Sequence, residues 1–174
     1  MKTRLLFFLG IIIILFTSCK LNSESNYKPD IQFVHDPIVN DTVTLNIYAD
    51  QGGVYRLDTI SVGDTVHFQI YATGFTNNLT EFYLTESSDS VSKFILPSVS
   101  SMDSIFLPTS NYKTGKFIMA GTYTALFFPF QYVALKVSNE AKITFSVVSD
   151  ANFEYNQFSF VLKTPIIAAK EKMK

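Results

Sequence analysis

The chain has 174 residues, with 14 Lys and Arg against 15 Asp and Glu, which gives a formal net charge of −1 at pH 7. It has no basic cluster outside its C-terminal end, so the sequence argues against a nucleic-acid partner. A single cysteine excludes an intramolecular disulfide framework.

Residues 1–18 have the layout of a secretory signal peptide. Lys2 and Arg4 provide a basic start, and the stretch Leu5 to Phe16 is almost entirely apolar. A bilayer span needs about 20 apolar residues, so this run is too short to cross a membrane. The sequence therefore predicts an exported protein.

Ser18-Cys19 at the end of this segment resembles the lipobox of bacterial lipoproteins, in which a small residue precedes the cysteine. The resemblance implies cleavage before Cys19, lipidation of Cys19 with palmitate-type acyl chains, and attachment to the outer membrane. Several acyl chains anchor a protein firmly, at about 0.8 kcal/mol for each buried CH₂. Residues 19–30 are polar and predict a lipidated tether.

The similarity extends to Bacteroidetes lipoproteins, whose surface-exported members usually carry acidic residues directly after the cysteine. Here Lys20 to Ser23 follow instead. The sequence therefore leaves open whether the domain faces the periplasm or the outside of the cell.

Residues 31–168 alternate between apolar and polar side chains, which is typical of antiparallel β-strands with one buried face. Gly, Asn and Asp punctuate the runs at spacings that predict about nine strands in one domain. A short strand is predicted at Asp103 to Leu107, and residues 169–174 are predicted to be a tail. The predicted inward positions are Val43, Leu45 and Ile47; Val66, Phe68 and Ile70; Val133, Leu135 and Val137; Ile143, Phe145 and Val147; and Phe158, Phe160 and Leu162.

Two short motifs resemble those of bacterial immunoglobulin-like modules. They are Val62-Gly63-Asp64-Thr65-Val66-His67-Phe68, before a predicted strand, and Gly121-Thr122-Tyr123-Thr124, in which Tyr123 could bond back to the chain. The resemblance implies an all-β, immunoglobulin-like antiparallel β-sandwich. A lipocalin-like β-barrel is the alternative, because a meander of strands would show the same alternation.

Catalytic and metal-binding patterns are sparse. The two histidines are His35 and His67, and only His67 has an acid close by in sequence, Asp64. Nucleophilic catalysis needs a nucleophile, a base and an orienting group, and zinc needs three or four ligands. The sequence therefore predicts no enzyme activity, no metal and no cofactor.

The triplet Asp-(Ser/Thr)-aliphatic occurs five times. It resembles the O-glycosylation pattern of Bacteroidetes envelope proteins, which implies glycans on the central hydroxyl. An Asp turn followed by a β-favouring Thr is also an ordinary way for a strand to begin, so both readings stay open. The hydroxyl residues concerned are Thr42, Thr59, Thr65, Ser90 and Ser104.

Residues 127–132 concentrate bulky side chains that alternation cannot all bury. Phe128, Phe130 and Tyr132 are therefore candidates for a partner-binding aromatic patch, unless another strand covers them. The sequence favours a lipid-anchored envelope protein that presents a non-catalytic sandwich to a protein or glycan. The alternatives are a carrier of small hydrophobic ligands and a pilus or assembly subunit.

Overall fold

The computed structural model describes residues 27–50, 54–87 and 90–169. The predicted signal peptide, Cys19 and most of the tether and the tail lie outside the described residues. Most of the described chain is β-strand, arranged in two sheets.

The first sheet has six strands, and β7 lies at its centre. It contains, in spatial order, β3 (Val43–Thr44), β2 (Ile38–Val39), β7 (Thr65–Thr73), β11 (Ala125–Ala134) and β9 (Ser92–Ile95), with β1 (Asp30–Phe33) also paired to β7. The β7–β11 ladder is antiparallel and runs from Thr73 opposite Ala125 to Thr65 opposite Val133.

The second sheet has seven strands, and β12 and β13 form its longest pair. It contains, in spatial order, β10 (Lys116–Tyr123), β8 (Leu79–Glu86), β12 (Ser138–Ser149), β13 (Gln157–Ile167), β5 (Tyr55–Leu57) and β4 (Ile47–Ala49), with β6 (Ile60–Ser61) also paired to β13. The ladders are antiparallel except that β5 and β6 run parallel to β13. Within the described residues, the helical elements are α1 (Val99–Met102) and the 3-10 helix Phe153–Tyr155.

The predicted all-β sandwich is confirmed, since the described strands form two packed sheets. The lipocalin-like barrel is wrong, because the described strands divide into two separate sheets rather than one closed sheet. The strand number differs from the prediction of about nine, since the structure has thirteen strands in its described residues and several contain only two or three residues.

Alternating side chains from both sheets fill the space between them. The predicted inward positions of β7 and β12 are fully buried or nearly so. Those of β13 also face the core, where Leu162 is fully buried and Phe158 and Phe160 are half-buried. Within the first sheet Phe68 stacks on Phe130 with ring centroids 4.9 Å apart, and within the second Phe145 stacks on Phe160 at 4.8 Å. Phe130 and Phe145 link the two layers, with ring centroids 6.0 Å apart. Burial of such rings is the main stabilising term for a domain of this kind.

The prediction for residues 133–137 was wrong. β11 ends at Ala134, and its buried positions are the even-numbered residues from Leu126 to Ala134. Leu135 and Val137 lie beyond the strand and are exposed. Both faces of this strand are largely apolar, so alternation of residue type alone could not determine which face is buried.

The predicted strand through Val43, Leu45 and Ile47 is broken. Val43 lies in the first sheet and Ile47 in the second, and the chain crosses between them at Leu45 and Asn46. The side chain of Asp58 fixes the crossing, because its Oδ2 accepts hydrogen bonds from both the backbone N and Nδ2 of Asn46, each 2.8 Å long. Such a long-range contact leaves no signal in the local pattern.

The predicted strand from Asp103 to Leu107 is also not formed. The helix α1 comes directly before it, and only Phe106 makes a β-bridge, to Met119 of β10. Leu107 N donates to Ile118 O, and Ala120 N donates to Ile105 O. This connection therefore covers the outer edge of β10 without becoming a regular strand.

The glycine-aspartate turn before β7 forms as the sequence predicts. Gly63 adopts φ +92°, a conformation that side chains with a Cβ rarely adopt. Asp64 closes the turn by accepting a hydrogen bond from Ser61 N at 2.8 Å, and it also binds Asn40 Nδ2 at 2.7 Å.

Tyr123 ends β10 where the chain leaves the second sheet for the first. Its hydroxyl donates a 2.6 Å hydrogen bond to the backbone oxygen of Ser104, 19 residues earlier. The predicted bond from Tyr123 back to the chain is therefore present, and it attaches the connection around Ser104 to this corner.

Replacing Phe128 with alanine should lower the free energy of unfolding by about 3–5 kcal/mol, because its fully buried ring contacts those of Phe82 and Phe117. The matched control is Phe127→Ala, where the ring is 58% exposed and a loss below about 1 kcal/mol is expected. Urea denaturation followed by circular dichroism measures both. Equal losses would contradict the orientation of β11 described above.

Candidate interaction surface

The outer faces of the two sheets differ sharply in charge. The second sheet carries ion pairs between Lys116 and Glu81 at 3.2 Å, between Lys163 and Glu140 at 2.9 Å, and between Arg56 and Asp50 at 2.9 Å. Such paired charges keep a sheet face solvated.

Polar contacts on the second sheet also shift its titrating groups. A hydrogen bond from the Tyr83 hydroxyl, together with nearby Lys116, holds the pKa of Glu81 below its usual value. The hydrogen bond to Glu81 raises the pKa of the Tyr83 hydroxyl. The pKa of Lys116 is raised by its own contacts with Tyr83 and Glu81. These three groups contact one another and form a paired surface cluster.

The central strands of the first sheet carry no formal charge on their outer face, and charge begins at its margin with Lys93 opposite Val133 and Asp30 opposite Thr73. The outward positions are residues 65, 67, 69, 71 and 73 of β7 and residues 125, 127, 129, 131 and 133 of β11, and none of them is Asp, Glu, Lys or Arg. On this side His67 Nε2 lies 3.2 Å from Asp41 Oδ1. Depletion of charge with retention of aromatic groups is typical of the centre of protein interfaces.

Exposed apolar side chains lie on this face. The Phe127 ring is 58% exposed and lies 4.8 Å, centroid to centroid, from the ring of its cross-strand partner Tyr71. Ile95 of β9 is 46% exposed and lies opposite Gln131. We call this surface the neutral face; its residues are His67, Gln69, Tyr71, Ile95, Phe127, Pro129 and Gln131.

A shallow open depression of about 390 Å³ lies within the neutral face. The amides of Gln69 and Gln131 and the imidazoles of His35 and His67 contribute polar groups to its lining, and Ile95, Pro129 and Pro97 contribute apolar surface. This arrangement can bury an apolar side chain and hydrogen-bond the polar groups around it.

Pro129 is accommodated inside β11 because of the direction of the backbone groups opposite it. Val34 N donates to Gln69 O at 2.9 Å, so the Gln69 carbonyl points away from β11. Gln69 is the cross-strand partner of Pro129, and their pair therefore needs no N–H from the proline. β9 pairs with β11 only from Gln131 onward, so the proline sits on an otherwise open edge.

The structure does not bring together the histidine and acid weighed from the sequence. Asp64 is engaged in its turn, and the carboxylate next to His67 belongs to Asp41, which has φ +61°. His35 Nδ1 contacts the backbone oxygen of Asp36 at 2.8 Å. Within the described residues, no three His, Cys, Asp or Glu side chains are placed to hold a metal ion.

The predicted partner-binding aromatic patch is wrong. Phe128, Phe130 and Tyr132 are buried between the sheets, where burial also raises the pKa of the Tyr132 hydroxyl. The exposed residues of β11 are Phe127 and Pro129, one position out of phase with the prediction. The signal that could have found them is Pro129 itself, because a proline inside a strand indicates an edge.

Four of the five hydroxyl residues in the Asp-(Ser/Thr)-aliphatic triplets are exposed: Thr42, Thr59, Ser90 and Ser104. Thr65 is half-buried at the start of β7, where its N–H donates to Asn40 Oδ1 at 3.0 Å. Asp58 and Asp64 accept hydrogen bonds from nearby backbone N–H groups. Exposure thus permits modification at four sites, while the aspartates also have structural roles.

No family model matches the chain, and no curated protein sequence matches it. Among solved structures, a PapD-like domain of human CEP192 is similar, with 9% identity, a TM-score of 0.38, and coverage of 87% of this chain and 94% of that one. The secreted serine protease VesC from Vibrio cholerae has 11% identity, a TM-score of 0.39, and coverage of 72% of this chain and 23% of that one.

A family 123 glycoside hydrolase from Clostridium perfringens has 11% identity and a TM-score of 0.37 over 81% of this chain and 27% of that one. The chain therefore spans about a quarter of the length of the protease and the hydrolase. At these identities and TM-scores, the likenesses carry no argument about activity or partners. The two helices in the described part of the chain, of four and three residues, are too short to cross a membrane.

If the triplets are glycosylated, we expect glycan mass on peptides containing Thr42, Thr59, Ser90 and Ser104, and none on Thr65, because a half-buried hydroxyl is less accessible to a transferase. Mass spectrometry of the protein purified from its natural host tests this. Bare peptides at all five positions would contradict glycosylation, and the triplets would then be explained by turn formation alone.

Proposed function

We propose that this chain is a lipid-anchored envelope protein of the outer membrane, and that its sandwich is a non-catalytic module that binds another protein. The anchor is inferred from the lipobox-like sequence at Cys19. The binding role is supported by the neutral face, which combines exposed aromatic and aliphatic side chains with a lack of formal charge.

The single observation that carries the binding proposal is the exposure of Phe127. A phenylalanine that is 58% exposed on the outer face of a sheet leaves apolar surface in contact with water. Tyr71, its cross-strand partner, and Pro129, the next outward residue of β11, extend that surface. Ile95 adds apolar surface farther along the face, opposite Gln131. Contiguous exposed apolar patches on soluble domains usually mark interaction sites.

A protein is the partner favoured over a glycan. The neutral face offers aliphatic Ile95 and Pro129 beside its rings, and these suit apolar side chains better than sugar rings. The amides of Gln69 and Gln131 can bond a partner's backbone at the rim of the depression. By contrast, the space between the sheets is filled by stacked rings, so no observation favours the carrier of small hydrophobic ligands.

A photo-crosslinking amino acid in place of Phe127 should capture a protein partner in intact producer cells, because this position is the most exposed aromatic residue of the neutral face. The matched control is Tyr48, an aromatic residue that is 49% exposed on the second sheet. A discrete protein adduct from position 127 and none from position 48 is the expected result.

The adduct should decrease about tenfold or more when Ile95→Lys introduces a charge into the neutral face. The control Leu135→Lys adds the same charge at an exposed position beyond β11 and should leave the adduct unchanged. A ladder of carbohydrate-containing adducts would instead indicate a glycan partner. Absence of any adduct at position 127 would refute the binding role of this face.

Lipidation predicts that the chain incorporates alkyne-palmitate in producer cells and sediments with the membranes. Cys19→Ser should abolish the label, because it removes the thiol that carries diacylglycerol, and it should release the domain from the membrane fraction. Click-labelling followed by gel fluorescence measures this. Persistent labelling of the serine variant would show that any lipid lies elsewhere.

A further inference from the structure

Two exposed aromatic rings contact each other at one end of the sandwich. Tyr27, the first described residue, is 66% exposed, and Phe75 is 49% exposed in the turn between β7 and β8. Their ring centroids lie 5.8 Å apart. Asn77 Nδ2 also donates to Tyr27 O at 3.4 Å, which attaches the chain leading into β1 to this turn. We call Tyr27 and Phe75 the aromatic end pair.

Phe75 combines an exposed ring with an unusual backbone conformation. Its φ is +59°, in the left-handed region that glycine adopts readily and a bulky residue rarely does. Two hydrogen bonds hold the turn in this shape: Phe75 N donates to Thr73 Oγ1 at 3.0 Å, and Asn77 N donates to Gly74 O at 2.9 Å. A residue that is unfavourable both in conformation and in exposure points to a function for its ring.

The end of the sandwich that carries this pair is also the end where the described chain begins. Asp30 at the start of β1 lies opposite Thr73 at the end of β7. Asn78 N donates to Asp150 Oδ1 at 2.7 Å, which joins the β7–β8 turn to the connection between β12 and β13. Tyr155 of that connection adds a third exposed ring. The entry to the domain and three exposed aromatic side chains therefore share one end.

The distance along the chain to Cys19 limits how far this end can lie from a lipid on that residue. Seven residues, 20–26, separate Cys19 from Tyr27. A chain spans at most about 3.5 Å per residue, so the two Cα atoms lie within about 28 Å of each other. Attachment over so short a distance gives an effective concentration on the order of millimolar, at which even weak contacts between two rings and a membrane are populated.

We propose that the aromatic end pair docks on the surface of the bilayer that holds the lipid of Cys19. This inference rests on the lipid anchor of the proposed function. Tyr27 lies at the level of the headgroups, where its ring contacts acyl chains and its hydroxyl stays hydrated, and the Phe75 ring enters the apolar boundary beside it. The long strands of both sheets then point away from the membrane.

The charges around the aromatic end pair favour a lipid surface without net charge. The segments 27–30, 74–78 and 150–156, which meet at this end, contain one lysine and three carboxylates: Lys28, Asp30, Asp150 and Glu154. An anionic membrane repels such an end within a Debye length, about 8 Å at physiological ionic strength. Zwitterionic phospholipids carry no net charge and present ammonium groups that suit carboxylates. The end pair therefore docks on zwitterionic phospholipid in preference to anionic lipid.

The first experiment uses the absence of tryptophan from the sequence. Phe75→Trp places a single fluorophore in the full chain, which is purified from producer membranes and reconstituted into phosphatidylcholine vesicles with brominated acyl chains. Its emission should fall by about half or more relative to vesicles without bromine, because bromine quenches an indole that reaches the acyl boundary. The matched control is Leu135→Trp, since Leu135 is exposed beyond the far end of β11, about 30 Å away along the strand. Its emission should stay unchanged.

Flotation of the same vesicles separates the docking from the anchor, and circular dichroism confirms that both variants fold. Both should float with the lipid. If both float and the two tryptophans are quenched equally, or neither is quenched, the docking is wrong while the anchor stands. If neither floats, the lipid anchor is wrong and the docking falls with it, because nothing then holds this end at a bilayer.

The second experiment tests the class of lipid with the Phe75→Trp chain. Replacing half of the phosphatidylcholine with phosphatidylglycerol should reduce the quenching about twofold or more, and about 0.5 M salt should restore it by screening the repulsion. Adding Glu154→Gln should recover part of the loss, because it removes one of the carboxylates at this end. The matched control Asp41→Asn removes an exposed acid at the opposite end, next to the start of β7, and should recover nothing. Equal or stronger quenching on the anionic vesicles would contradict docking on zwitterionic lipid.

Discussion

The stacked aromatic layer between the two sheets is the interaction on which the rest of this structure depends. Phe68 and Phe130 from the first sheet stack face to face, and Phe130 in turn contacts Phe145 of the second, with centroids 6.0 Å apart. Because side chains alternate along a strand, burying these rings makes the residues between them on β7 and β11 point outward. Phe127 and Pro129 are therefore exposed on the neutral face because their neighbours Phe128 and Phe130 are buried in the core.

The sequence predicts those strands whose two faces differ in chemistry. In β12, Ile143, Phe145 and Val147 alternate with Lys and polar residues, so the buried face could be assigned from the residues alone. β11 offers no such contrast, because Phe127 and Phe128 are neighbours of the same type. Its orientation is decided by the cross-strand partners that β7 supplies, and pairing between distant strands leaves no mark on a local pattern.

Most of the candidate surface could not be predicted from the sequence, because it also depends on pairing between distant strands. It joins residues from β7, β9 and β11, which meet only through the sheet order, and its centre lies on the face of β11 that the prediction placed inside. The contact between His67 and Asp41 depends on a turn with positive φ. The turn formed by Gly63 and Asp64, in contrast, is built from adjacent residues and was predictable.

The parallel pairing of β13 with β5 and β6 has a consequence for the order of folding. β13 is the last strand along the described chain, yet it lies inside the second sheet, and Thr164 Oγ1 donates to Asp58 O across 106 residues. Contacts of such long sequence separation slow folding. A nascent chain therefore cannot complete the second sheet until β13 has been synthesised, so this sheet forms only after most of the described chain has been made.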